Sequence, residues 1–281
     1  MHSELTTKQD IILHGWGGAG LLIVTLILSG MGIPFFTGFF YPLALTAIIL
    51  ILDGIVLQYS GKSLIGDRIH ELILMAPLSV MAWSLLEIYN LFTANWNYQG
   101  LNAESWLQFV YFGWLFALFL PLTVIIAEGI QAISSEDLKP RRADFLNGMP
   151  LFWAMIFGGL CVTLPVIFPG KLGVLLFSAG GIVVLECINL TAGRPSFTSM
   201  YMEGRIKLAG YFYLAGLFVF GLLLPSMGIF SGLKIVYQFD SPYAYKIVGL
   251  LLKGLWGLYL IEFYWMMTGF KGFIGSAEAA D

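Results

Sequence analysis

The chain has 281 residues, of which 58% are hydrophobic and only 11% charged, with a formal net charge of −3. Soluble domains carry about 25% charged residues, so this sequence cannot cover a water-facing surface of its size. The weak negative charge gives no basis for binding nucleic acid, and lipid is the solvent that the long apolar stretches suit.

Eight apolar runs, each long enough to cross a hydrocarbon core about 30 Å thick as a helix, follow one another along the chain. The first, 11–33, comes after a segment with Lys8 and the acids Glu4 and Asp10. It is too long for the apolar part of a signal peptide and reads as a membrane anchor. It opens with His14 and with Gly15, Gly17, Gly18 and Gly20, small residues that let another helix approach. No strand precedes these glycines, so they are not a dinucleotide fingerprint. The second run, 38–59, carries Asp53. The third, 70–93, begins at His70 and ends in "LEIYNLFTA", with Glu87 and Asn90 one helical turn apart. A loop rich in Trp, Tyr and Asn, "ANWNYQGLNAESW", leads into the fourth run, 106–128. Its Trp96 and Tyr98, with Asn90, are candidates for a cap over a ligand, or for an interfacial anchor.

The one long polar segment, Ile133 to Gly148, divides the chain into halves 1–132 and 145–281 within a single membrane domain. The fifth run, 148–168, is separated from the sixth, 172–192, by Pro169-Gly170, a turn signal. The sixth run contains "LECINLTAG", a near copy of the earlier turn, with Glu186 and Asn189 in the places of Glu87 and Asn90. A seventh run spans 207–228. A mixed segment, 229–245, is expected along the outer interface, and the eighth run, 246–270, holds Lys253 and Glu262. Around Glu262, "LIEFYWMMTG" is a weaker third copy with Trp265 in the place of the amide. The fold class expected is therefore all-α: a polytopic transmembrane bundle of about eight spans. Spans three and six run in opposite directions, so a repeat relating them has inverted topology.

Eight spans put both termini on one side. That side collects Lys8, Lys62, Arg68, Lys139, Arg141, Arg142, Arg194, Arg205, Lys207 and Lys271 of the 14 basic residues; the other collects Lys171, Lys234 and Lys246. Basic residues mark the cytoplasmic side, which places both termini in the cytoplasm and the protein in a bacterial inner membrane as a multi-pass chain.

An ionised group at the centre of a membrane helix costs about 2.5–3.5 kcal/mol on insertion scales, so such groups pair, protonate or serve function. Asp53, Glu87, Glu186, Lys253 and Glu262 fall within the runs. Glu87 and Lys253 lie at similar outer depths and are expected to pair structurally. Asp53, Glu186 and Glu262, with Asn189, lie toward the inner side without a basic partner inside the spans; they are the candidates for a ligand or a proton. His14 and His70 sit at similar depth and could ligate a b-type haem, although each is better explained as an interfacial residue. Cys161 and Cys187 lack metal-ligand spacing, no metal site is expected, and no nucleophile, zinc or phosphate-loop motif is present.

The runs "WSLLEIYNLFTANWNY" and "LECINLTAGRPSF" resemble a group of polytopic bacterial membrane proteins that share Trp, Glu-x-x-Asn, Asn-Trp-x-Tyr and a later Gly-Arg-Pro-Ser. The likeness covers about a third of the chain and implies a helical membrane bundle but no activity. There is also a likeness to membrane lycopene-cyclase domains, whose paired Glu after a Pro this chain lacks. Three functions fit the residues. The first is a protein holding an amphipathic or isoprenoid-type, lipid-like molecule in a cavity lined by carboxylates. The second is a proton-coupled carrier of a small solute. The third is a non-catalytic subunit of a larger membrane complex, in contact with haem or pigment. Membrane lipids are the expected partners in each, with membrane-protein partners in the third, and there is no room for an ATP-binding domain.

Overall fold

A computed structural model describes residues 2–94, 96–99, 104–134, 149–170, 173–203, 205, 207–231, 234–237 and 242–269. The polar segment that was expected to join two halves lies outside the described residues from 135 to 148, as do Lys139, Arg141, Arg142, Lys171 and Lys271. The described chain is a bundle of long helices. They are α1 (His2–Gly30), α3 (Phe40–Ser60), α4 (Ile69–Thr93), α5 (Ser105–Ile133), α6 (Met149–Ile167), α7 (Gly173–Thr191) and α11 (Pro242–Thr268), with a composite helix of α9 (Lys207–Gly216), a π-helical segment (Leu217–Leu223) and α10 (Leu224–Ser231). Short helices α2 (Pro34–Gly38) and α8 (Phe197–Met202) and strands β1 (Trp96–Gln99) and β2 (Lys234–Tyr237) complete it. Seven helices among the described residues are long and apolar enough to cross a membrane. The eighth run falls on α11, whose 27 residues reach about 40 Å at 1.5 Å per residue.

In lipid each main-chain polar group must be satisfied within the protein, and the helix ends show how. Gly32 at φ 75° and Gly193 at φ 64° adopt the left-handed conformation after α1 and α7. That turn lets Ile33 N donate to Leu28 O and Arg194 N to Asn189 O, closing the last carbonyls. Hydroxyls inside spans donate to the carbonyl one turn back, as Thr46 does to Pro42 O and Ser178 to Val174 O. Ser79 of α4 does something less local. Its Oγ donates to Phe116 O and accepts from Leu120 N at 3.0 Å, so it bridges one rung of α5 just before Pro121.

Buried side chains from both halves form one core, from Phe40 of α3 to Trp265 of α11. At its centre Trp83 stacks on Phe220 of the π segment at 5.2 Å and meets Trp256 of α11 edge-on at 5.1 Å. Helices α1 and α6 are peripheral: 17% and 11% of their apolar windows are buried, against 61% for α3. Each is seated through small residues. A Cβ on Gly18 would stand 2.8 Å from Ala47 O of α3, and one on Gly180 of α7 would stand 2.7 Å from Gly158 O of α6. Their outward faces carry Leu13, Trp16, Phe152 and Phe157, apolar residues suited to lipid.

Tyr89, near the end of α4, donates to Gly173 O at the start of α7 at 3.3 Å, so these two helices run in opposite directions. The outer segments, expected as separate interfacial loops, join instead: β1 and β2 pair antiparallel, with Trp96 opposite Tyr237.

Candidate functional site

The repeated turn sets an acid under a returning stretch of chain at the ends of α4 and α7. At α4, Glu87 Oε1 accepts from Trp83 Nε1 at 2.9 Å and from the Tyr98 hydroxyl. Asn90 grips both main-chain groups of Trp96: its Nδ2 donates to Trp96 O at 2.9 Å and its Oδ1 accepts from Trp96 N at 3.1 Å. The helix closes on Ala94 at φ 48°, a conformation that costs a non-glycine residue, and the chain folds back over its own end. The Trp96 ring is buried against Trp256 at 6.1 Å. The expected cap residues Asn90, Trp96 and Tyr98 therefore do converge, and they latch β1 onto the aromatic core.

At α7 the chain also returns onto its acid. Glu186 Oε1 accepts from Thr198 N at 2.7 Å and Oε2 from Phe197 N at 3.1 Å. Phe197 stands eleven residues after Glu186, as Tyr98 does after Glu87. The donors here are the first main-chain N–H groups of α8. Ser196 and Ser199 cap that helix reciprocally, Ser196 Oγ accepting from Ser199 N and Ser199 Oγ from Ser196 N.

The two constructions differ in what reaches them. Phe197 N also donates to Glu262 Oε1 at 3.0 Å, so one N–H is shared between carboxyls from α7 and α11. Asn189 Nδ2 donates to Glu262 Oε2 at 2.6 Å and to Glu262 O at 3.1 Å. Glu262 and Asn189 are fully buried, and among the described residues Asn189 Oδ1 has no hydrogen-bond partner. Glu186, Glu262 and Asn189, three residues singled out in sequence, thus form one cluster where α7 ends, α8 begins and the last turns of α11 pass.

Asp53 belongs to a different construction. It is fully buried and holds the turn between α3 and α4. Leu64 N donates to Oδ1 at 2.6 Å, and Ile65 N and the Ser63 hydroxyl donate to Oδ2. His14 Nε2 of α1 lies 3.0 Å from Oδ2. The packing of α1 on α3 thus brings His14 beside Asp53, a proximity the sequence did not reveal. His14 lies beside this carboxylate, while His70 is exposed at the start of α4. Among the described residues no group of three or more His, Cys, Asp and Glu side chains could hold a metal ion.

Sequence reasoning missed Glu128. It ends the fourth apolar run, is nearly buried, and receives Arg68 Nη2 on both oxygens at 2.8 and 2.6 Å. Arg68 Nη1 also reaches Glu71 at 3.4 Å. The same membrane-cost rule that flagged the other acids would have found it. One nitrogen, Nη2, bridges both carboxylate oxygens, a charge-assisted contact that ties the start of α4 to the end of α5.

The polar groups thus segregate. Asp53, Arg68, Glu128, Glu186 and Glu262 gather toward one end of the bundle, and Glu87 and Tyr98 toward the other. Comparison with protein-family models, curated proteins and solved structures gives no match to this chain.

Proposed function

We propose that the protein is a proton-coupled carrier of a small solute, with Glu186 and Glu262 as the proton-binding pair. The observation that carries this reading is the convergence of two carboxyls from different helices on the single N–H of Phe197. Like charges this close in an apolar setting are relieved by one shared proton, and that proton is the exchangeable species. The opposed directions of α4 and α7, each ending in the same acid-held return, support an inverted repeat. Carriers of that design place their sites at the repeat interface. On this reading the polar end with Arg68, Arg194 and Arg205 faces the cytoplasm of a bacterial cell, and membrane lipids cover α1 and α6.

The lipid-like-ligand reading is supported by the aromatic cluster beside Glu87, but Trp83, Phe119, Phe220 and Trp256 already fill that space with one another's rings. The acids near α8 are accordingly the better place for exchange.

Infrared difference spectroscopy after a pH jump on the reconstituted protein tests the carrier reading. The wild type is expected to show a protonated-carboxyl band that appears and disappears with pH. Glu262→Gln and Glu186→Gln, folded by the criterion of a retained melting transition, are expected to lose it. A band unchanged in both variants overturns the assignment.

A further inference from the structure

We infer that the Glu186–Glu262 site takes an organic ammonium ion, an amine in its protonated form, as the solute that exchanges with the proton. The inference rests on the carrier reading above and adds the substrate class to it. Each of the four carboxyl oxygens accepts from an N–H group: Thr198 N, Phe197 N twice, and Asn189 Nδ2. These donors are neutral. They solvate negative charge without cancelling it, so two carboxyls with one shared proton still leave the site anionic.

Asn189 supplies a second, independent observation. Its Nδ2 is fixed by two acceptors on Glu262, which sets the direction of the amide. Its Oδ1, on the same fully buried side chain, has no hydrogen-bond partner among the described residues. A buried acceptor without a donor is destabilising, and a bare proton held between the carboxyls does not relieve it. An ammonium group supplies what both lack, several N–H donors and a positive charge.

Aromatic rings complete the chemistry. Phe197, whose N–H the carboxyls share, meets Trp265 edge-on at 5.2 Å, and Phe212 meets Trp265 at 6.0 Å. Trp265 stands one turn after Glu262 on the same helix. Aromatic faces attract organic cations and accept their alkyl groups. A neutral solute would leave the charge uncancelled, and an anion would be repelled. The first turn of α8 covers Glu186 in this structure, so entry requires that turn to lift; the Ser196–Ser199 box travels with α8 and preserves its N-terminus.

Binding of n-butylammonium, n-butanol and butyrate to the protein in nanodiscs, at one fixed pH and ionic strength, tests the class. The expected result is that butylammonium binds about tenfold or more tightly than butanol, with butyrate weaker than either. Glu262→Gln is expected to abolish that preference, and Asn189→Leu to reduce it severalfold. Wild-type protein that binds butylammonium no better than butanol, yet keeps the carboxyl band, overturns the ammonium class and leaves the carrier reading standing. Loss of both the preference and the band overturns both.

Discussion

Glu87 is held by two donors at once, Trp83 Nε1 and the Tyr98 hydroxyl, and this makes its role separable from that of its echo Glu186. Hydrogen bonds to a charged acceptor contribute about 1.5–3 kcal/mol. Tyr98→Phe is expected to cost an amount in that range, read from thermal melting in detergent. Glu87→Gln with Tyr98→Phe should cost less than the two added, because both remove one contact. The pairing of Glu87 with Lys253 expected from sequence is tested by the same cycle with Lys253→Met. The coupling of Glu87 to Tyr98 is expected to exceed its coupling to Lys253, and the reverse order would make the ion pair the principal restraint.

Tyr98 also gives a pH signature. Burial first, and then the charge of Glu87, push its phenol well above the usual value of about 10. The unfolded chain ionises this group from about pH 10 upward while the folded protein keeps its proton. Stability from the protonated phenol is therefore complete below about pH 10 and is lost as pH rises beyond it, by up to about 1.4 kcal/mol per pH unit. Tyr98→Phe should flatten the alkaline limb of the melting-temperature profile relative to wild type. Equal slopes above pH 10 would show that Tyr98 is not the group responsible.

At this scale the sequence was most legible where a residue was expensive. Glu87, Glu186, Glu262 and Asp53 were flagged because charge in lipid needs a reason, and each proves to hold a returning segment of chain. Their donors were illegible, because most are main-chain N–H groups that no residue type announces. His14 at Asp53 was hidden differently, since the two meet only through the packing of α1 on α3.

Among the elements, the spans were readable because hydrophobic length alone decides them, and the Pro169-Gly170 turn fell where expected, with Gly173 N closing onto Gly170 O. The π segment and α8 were not readable. Leu217–Leu223 is as apolar as its neighbours, and its wider winding follows from tertiary contact. A Cβ on Gly216 would lie 2.8 Å from Gly257 N and Lys253 O and 2.9 Å from Gly254 O. These are main-chain atoms that cannot step aside, so α9 lies directly on α11 just where the helix changes winding. Gly216→Ala is therefore expected to separate the two helices at a cost of about 1–3 kcal/mol. Gly17→Ala, where a Cβ would meet nothing within 4 Å, should change stability by no more than about 0.5 kcal/mol. Equal melting temperatures for the two variants would mean that the close crossing does not hold α9 in place.

For the whole molecule, the repeated turn gains its meaning from direction. Two identical local constructions at one end of a bundle would be duplication; at opposite ends they give each side of the membrane its own acid-held cover, β1 over Glu87 and α8 over Glu186. The orientation we propose, with α8 on the cytoplasmic side, rests on charge: the loop with Lys62 and Arg68 and the segment with Arg194 and Arg205 share the α8 end, and basic residues mark the inner side. Single cysteines placed in a Cys161→Ser, Cys187→Ser background test this directly. Lys62 and Asn97 are both exposed, one in the α3–α4 turn and one on β1, and α4 lies between them. In intact bacterial cells Asn97→Cys should react with a membrane-impermeant maleimide, and Lys62→Cys only after permeabilisation. The opposite pattern would invert the bundle and put the Glu186–Glu262 pair at the outer side. Reaction of both from outside would mean that α4 does not cross, and the two covers would then belong to a single face.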